Sequence, residues 1–500
     1  MSERFSKSGK LTNEARHALA LGSLSGASSI AALAKAHGVS RQTAHTQQAK
    51  ARQAVKAAFV PDANDEAVLF YLPVTGRWLW QFIVALTFIC RGSYRAVAEC
   101  ARDLLGVPMS IGYVHAVLHS LSSCAGGINR GQDLSPITVG AADEIFHGSK
   151  PVLACVDART TYCYCLTTAE RRDGDTWGVH LLDLRDQGLE PDYIVADAGS
   201  GIRSGHRMAW NGEKPCHGDV FHILHQMETL TNLQARLEKG KQTALAKLQA
   251  KAASGTASET LAAQLSGAVR DANQAKALVK ALRLLTKWMQ RDILSLAGPC
   301  LAVRQELFDF LVDELEQVAP WDEARIRPLC TALKNQRDDL LAFAGVIDKK
   351  LADLAQRHRL PKERVREICL LHRLPETCPS YWMKLDHLRR AVGINFETVL
   401  ADVARVLAET PRSSSLVESL NARLRICFTL RRHIDDQYLG LLQFFINHRR
   451  FTRSRCTERA GKSPRELMTG QAHPHWMTML GLGSLQPMAL TRAPSFAIEA

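Results

Sequence analysis

The stretch from Ile137 to Gly201 limits the folds open to this chain more than any other. Its first run, Ile137-Thr-Val-Gly-Ala-Ala-Asp-Glu-Ile-Phe146, alternates so that Val139, Ala141, Asp143 and Ile145 share one face of a pleat. Pro151–Asp157 reads as a second strand, Asp157-Ala-Arg-Thr160 as a turn, and Tyr162–Leu166 as a third strand. Asp173-Gly-Asp-Thr176 is a helix start, Trp177, Leu181 and Leu184 recur at helical spacing, and Gly188 ends that helix. Tyr193-Ile-Val-Ala196 is a fourth strand that delivers Asp197 into a glycine turn, Gly199-Ser-Gly201. One carboxylate therefore sits inside the first strand and another at the tip of the fourth. From Leu224 to about Thr410 the strand pattern disappears.

The chain has 500 residues, too many for one core, and a formal charge of +13. The charge is concentrated. Residues 1–60 hold nine Lys and Arg against Glu3 and Glu14, a net +7. Residues 412–465 hold twelve against Glu418, Asp435, Asp436 and Glu458, a net +8, which leaves the remainder slightly acidic. Two basic segments in an otherwise near-neutral chain point to polyanion contact there; solvated helix faces are the plainer alternative. The thirteen cysteines form no CxxC pair, which argues against a zinc finger and a secreted disulfide framework. The opening residues Met1-Ser-Glu-Arg-Phe-Ser-Lys lack the apolar core of a secretory leader, and the most apolar window, Trp78–Cys90, is shorter than a membrane span. A soluble protein of a reducing cytoplasm, with no membrane partner, is expected.

Residues 28–58 have the pattern of a helix-turn-helix: a short helix to His37, the turn Gly38-Val-Ser40, and a polar helix from Arg41 to Arg52 capped by Ser40. Ser40, Arg41, Gln42, Thr43 and His45 would then face phosphates or base edges, and 1–60 is expected to be a DNA-binding domain; an ordinary helical hairpin is the alternative. Residues 61–132 repeat the theme, with a helix from Tyr94, a Gly106-Val107 turn and a Ser110 cap, as a second DNA-binding or dimerisation domain. Ser120–Leu134, with three glycines, reads as a linker. Residues 133–222 carry the strand-rich block. Within 223–410, Leu230, Leu233, Leu237, Leu245 and Leu248 predict a long amphipathic helix. A turn at Ser254–Ser258 and a return bearing Leu261, Leu265, Leu278, Leu282 and Leu285 follow. This segment is either an all-α insertion in the strand-rich domain or an independent coiled-coil domain. Residues 411–470 are assigned back to the strand-rich domain, and 471–500 form a tail.

A third carboxylate stands in Pro411-Arg-Ser-Ser-Ser-Leu-Val-Glu-Ser-Leu-Asn-Ala-Arg-Leu-Arg425, near a helix start. Ser415-Leu-Val-Glu418 also fits a capping box, which would make Glu418 structural. Asn421 and Arg425 follow Glu418 at i+3 and i+7, on one face. The order of these elements resembles a bacterial insertion-sequence DDE transposase. The resemblance covers most of the chain and rests on element order rather than on any short motif.

It implies an α/β catalytic core of RNase H type with a mixed five-stranded sheet, helix-dominated overall. It implies too an all-α insertion between the second Asp and the Glu. Asp143, Asp197 and Glu418 would be the catalytic triad and would hold two Mg²⁺ ions, with Mn²⁺ as a substitute. Hard cations take oxygen ligands, and three carboxylates can hold two ions while leaving positions for phosphate and water. Arg425 would meet DNA phosphate. Asp219-Val-Phe-His222 matches a motif that follows the second aspartate in such enzymes, so Asp219, His222 and Asn421 would support the site. Trp288 is the insertion-domain aromatic placed to stack on a flipped base, although core packing is the stronger general expectation for a tryptophan.

The implied partners are double-stranded DNA, as terminal inverted repeats and target, and a second copy of the chain in a homodimer or higher oligomer. Cys216, His217, Asp219, His222 and His225 form a weaker zinc alternative. Glu144 and Asp157 are rival acids: Glu144 points to the opposite face, and Asp157 leaves too few strands before the helix. A catalytically retired DNA-binding protein and an RNase H-like nuclease or junction resolvase are the competing functions.

Overall fold

The computed structural model describes residues 11–59, 74–255, 258–454 and 456–483. The chain divides into two units, Met1–Pro73 with Pro487–Ala500, and Val74–Gln486.

The first unit holds α1 (Asn13–Ser25), α2 (Ile30–Ala36) and α3 (Arg41–Ala58). Thr12 and Ser29 cap the first two helices. Gly38 takes the left-handed conformation (φ +62°) that a sharp turn requires, and Ser40 Oγ accepts the N–H of Thr43 at 3.1 Å. Leu19, Ala34 and Ala44 are buried together, with Leu33 and Val39 packed against them. The predicted helix-turn-helix thus lies within a three-helix cluster, and α1 is the part that its sequence pattern did not announce.

The second unit begins with α4 (Gly76–Phe88), α5 (Tyr94–Leu105) and α6 (Ile111–Arg130). The expected linker at Ser120–Leu134 is not there. The α6 helix runs through Gly126 and Gly127, because Leu121, Ser122 and Ala125 are buried where α6 packs on α17, and packing outweighs the poor helix propensity of glycine. Then come β1 (Val139–His147), β2 (Lys150–Asp157), β3 (Cys163–Thr168), α7 (Gly174–Asp186), β4 (Tyr193–Ala196), α8 (Ser200–Ala209) and β5 (Cys216–Gly218). The sheet is mixed, with order β3-β2-β1-β4-β5; β1–β2 and β2–β3 are antiparallel, β1–β4 and β4–β5 parallel. The glycine turn after Asp197 is also the start of α8, a helix absent from the sequence expectation.

The helical stretch comprises α9 (Val220–Ala253), α10 (Glu259–Trp288), α11 (Leu301–Val318), α12 (Glu323–His358), α13 (Lys362–Leu371), α14 (Pro379–Val392) and α15 (Phe396–Ala408). It has its own apolar core, into which Leu230, Leu278, Leu282 and Leu285 pack. The leucine stripe of α9 does not continue into that core: Leu233 and Leu237 are 37% and 41% exposed, so the far part of the α9–α10 hairpin projects from it. Arg304 is fully buried and donates to the carbonyls of Pro299, Ile293, Ser295 and Leu296, closing the turn ahead of α11.

The chain then returns to the sheet with α16 (Ser415–Thr429), α17 (Asp436–His448), α18 (Pro464–Thr469) and α19 (Trp476–Met479). One sheet face, with Ala141, Ile145, Val152 and Ala154, shares a core with α4–α6, α16, α17 and α19. The other, with Ala142, Leu153, Cys155 and Ile194, packs on α7 and α8. Residues 74–130 therefore share one core with the sheet. Trp476, Met477, Leu480 and Leu482 of the expected tail are buried in it as well. Among the described residues no helix is long and apolar enough to cross a membrane.

Candidate active site

The sheet register decides where the two aspartates fall. Ala141 pairs with Val195 across the parallel β1–β4 ladder, so Asp143 and Asp197 each lie two residues beyond a matched pair. Side chains two apart share a face, and neighbouring strands are about 4.8 Å apart, so these carboxylates stand side by side, Asp143 in the middle of β1 and Asp197 just past the end of β4. The α16 helix packs on the same face. From it, Asn421, 1% exposed, donates from Nδ2 to Asp143 Oδ2 at 2.9 Å, and Glu418 occupies the first turn of the helix, half-buried. Asp197 Oδ1 accepts the N–H of Gly199 at 2.8 Å.

Burial raises the Asp143 carboxyl. The Glu144 N–H pulls it down, the Glu418 charge raises it again, and smaller contributions from His222 and Asp197 oppose each other; the balance is about 6. Glu418, Asp197 and His222 are therefore close enough for their charges to act on Asp143. His222 is lifted to about 9, first by its hydrogen bond to Asp219 (2.7 Å) and then, against burial, by the charges of Asp219, Asp143 and Asp197. It faces the aspartates as an imidazolium.

Asp219 organises both ends of the helical stretch. Its Oδ1 accepts the N–H of Phe221 at the start of α9, while Oδ2 accepts from His222 and from the buried hydroxyl of Ser414, which precedes α16. The Val220 N–H also donates to the Arg412 carbonyl at 3.1 Å. Burial favours the neutral acid, but the hydrogen bonds from His222 and Ser414 outweigh it and hold Asp219 below the ordinary carboxylate value. Residues 220–412 thus leave and rejoin the sheet domain at one place. That is the behaviour of an insertion.

No protein-family profile matches this sequence, and no curated protein matches it.

The competing readings of single residues resolve structurally. Glu144 points away from Asp143, and its Oε1 accepts Trp177 Nε1 at 2.8 Å. Asp157 is buried and accepts the N–H groups of Arg159 and Thr160, so it builds the β2–β3 turn. The N-cap of α16 is Ser414, one residue earlier than the capping-box reading needs, and its hydroxyl bonds to Asp219 instead. The zinc alternative disperses: His217 stacks on Tyr193 at 4.1 Å with burial pushing it down to about 4, and His225 stacks on Phe221.

The remaining predicted residues are elsewhere. Arg425 is exposed on α16 beyond Glu418. Trp288 ends α10, 36% exposed, and its ring neighbour is Phe310 at 6.1 Å; among the described residues no ring contact or hydrogen bond joins it to the acids. Ser40, Arg41, Gln42 and His45 are exposed and Thr43 is half-buried in the first unit.

Two site residues carried no sequence signal. One is Ser414, indistinguishable within a run of three serines. The other is Arg203, whose Nε donates to the Asp197 carbonyl at 3.0 Å while Nη1 pairs with Asp339 of α12 at 2.5 Å. An open groove of about 850 Å³ runs beside Asp197, lined in part by Arg203, Arg327, Thr331, Asn335 and Asp339.

The donor set is entirely oxygen: three carboxylates and the buried Oδ1 of Asn421, which has no hydrogen-bond partner among the described residues. That chemistry suits a hard divalent cation. Among the described residues, however, no three His, Cys, Asp or Glu stand close enough together to hold a metal ion. The donors fit the ion in kind, and the ligand cage is not closed.

Proposed function

We propose that this chain is a DNA transposase with an RNase H-like catalytic domain and an Asp143–Asp197–Glu418 triad, acting on duplex DNA with Mg²⁺ or Mn²⁺. The observation that carries the reading is the register: the two aspartates meet on adjacent parallel strands, and the chain returns after a long all-α insertion to lay Glu418 and Asn421 on the same face. Asp143, Asp197 and Glu418 would hold the ions, with Asn421 orienting Asp143. When bound, such ions supply Lewis acidity and a nucleophilic water or 3′-hydroxyl at neutral pH. The protein's own contribution is positioning. Asp219 fixes His222 so that its positive charge faces the acids and a scissile phosphate between them. Arg203 holds the Asp197 loop against the insertion. The exposed basic helix α3 fits recognition of the terminal repeats. A second copy of the chain is proposed for pairing two DNA ends.

The test is cleavage of a supercoiled plasmid carrying the element's ends. Asp143→Asn, Asp197→Asn and Glu418→Gln are each expected to bring Mg²⁺-dependent nicking below detection while end binding persists. Wild-type cleavage by any one of them removes that residue from the triad. The open ligand cage favours a second reading, a DNA-binding protein without catalysis. End binding by the wild type with no nicking in Mg²⁺ or Mn²⁺ would select it.

A further inference from the structure

Away from the three acids, a cleft of about 160 Å³ is lined by Arg91, Arg423, Arg449, Arg450 and Arg453 with an apolar floor that includes Phe88, Leu442 and Phe445. Among the described residues no carboxylate lines it. Arg450 is already engaged by Glu466 and the His473 carbonyl. The other four are in no ion pair among the described residues. Arg449 is fixed over the Phe445 ring at 5.5 Å. Although Arg423 keeps an exposed face, partial burial lowers its guanidinium first; Cys163 opposes that, and the nearby positive charges of Arg91 and Arg449 then lower it further, so these cations converge.

The backbone adds an independent sign. Arg91 has φ +56°, a conformation that glycine adopts freely and a long side chain adopts at a cost. A cation stands where the chain geometry favours glycine. Unpaired guanidiniums gathered without a counter-ion repel one another, and a phosphate accepting their planar forks relieves that.

The position of Arg423 separates this cleft from the catalytic face. It follows Glu418 by five residues on α16, which at 100° per residue turns it some 140° away, whereas Arg425 at i+7 comes back nearly in line.

We infer that this cleft is a docking site for the phosphate backbone of duplex DNA outside the scissile bond. The choice of DNA as the anion rests on the function proposed above; the cleft and its charge do not.

The experiment uses the full chain and a random-sequence duplex, with affinity measured by fluorescence anisotropy between about 50 and 200 mM salt. The variant is Arg91→Gly/Arg423→Gln/Arg453→Gln, which leaves the triad and α3 untouched. Each phosphate contact removed flattens the log K against log salt slope by roughly 0.9, so a loss of roughly 2 to 3 is expected. Arg91→Gly alone is expected to keep or raise the thermal midpoint while losing its share of the slope, which separates binding from folding. A slope unchanged from wild type overturns this inference and leaves the proposed function standing. A wild-type chain that binds no duplex overturns both. Inorganic phosphate as the only probe distinguishes a small-anion site: a thermal shift with phosphate that the triple variant loses, with DNA binding unaltered, overturns the DNA assignment.

Discussion

The two faces of the sheet are built on opposite rules. Against α7 and α8, Ala142, Leu153, Cys155 and Ile194 meet Trp177, Leu181 and Ile202 in a largely apolar layer. The α8 helix approaches so closely that a Cβ on Gly201 would collide with the Arg172 carbonyl just ahead of α7, and one on Gly205 with the Trp177 side chain and the Gly178 backbone of α7. The opposite face starts the same way at Ala141 and Ile145, then places Asp143 and Asp197 where apolar residues would pack better, beneath Asn421 and beside an imidazolium. The first face holds the strands in register. The second uses that register to bring like charges together in a buried place; burial first, and then to a smaller degree the Glu418 charge, raise the Asp143 carboxyl.

Gly201→Ala gives the sharpest test of the first face. Its Cβ meets backbone, not a flexible side-chain tip, so a loss of about 3 kcal/mol is expected in chemical denaturation, at the upper end of overpacking costs. An unaffected midpoint would mean that α7 and α8 are less tightly engaged than described. The second face should respond differently. Ser414→Ala leaves the buried Asp219 carboxylate one hydrogen bond short, expected at about 1–3 kcal/mol. Because Asp219 also orients His222, DNA nicking should fall by more than the stability loss explains. Equal effects on both would make Ser414 only a tie between the ends of the insertion.

An effect that fades with falling pH concerns the strap that joins the faces. Arg450, at the end of α17 on the catalytic side, pairs with Glu466 of α18, whose Met468 is buried on the other side. The Arg450 hydrogen bonds, against burial and with help from the Ser463 and His473 N–H groups, lower Glu466 to about 2. A depressed carboxyl stabilises the fold fully above its ordinary value of 4.5, and that contribution is lost as pH falls through about 2. Glu466→Gln should therefore cost on the order of 2 kcal/mol at pH 7 and progressively less below pH 4.5. A cost independent of pH would assign the effect to the helix cap instead of the charge.

Much of this comparison was legible in the sequence. Strand alternation put Asp143 on one face and Glu144 on the other, and both fall that way. The fourth strand and its terminal Asp197 stand where the pattern placed them. Helical periodicity gave the α9–α10 hairpin, the middle of whose expected turn, residues 256 and 257, lies outside the described residues. These features depend on neighbours a few residues apart, which a periodic pattern records directly. Where the pattern failed, distant packing had overruled local preference. Gly126 and Gly127 became helix because α6 is buried, and Trp476 became core because it reaches Phe445.

The sequence by itself determined most of the elements, α1, α8 and the end of α6 apart, together with the order of the strands and the carboxylates they carry, because backbone periodicity and capping are local chemistry. Only the tertiary structure decided that β4 pairs with β1 so as to align Asp143 with Asp197. It alone joined Ser414 to Asp219 across the insertion and gathered Arg91, Arg423, Arg449 and Arg453 around one cleft. Each of those joins residues far apart in the chain, and the free energy that fixes them comes from burying the shared apolar layers between them, which no short window of sequence contains.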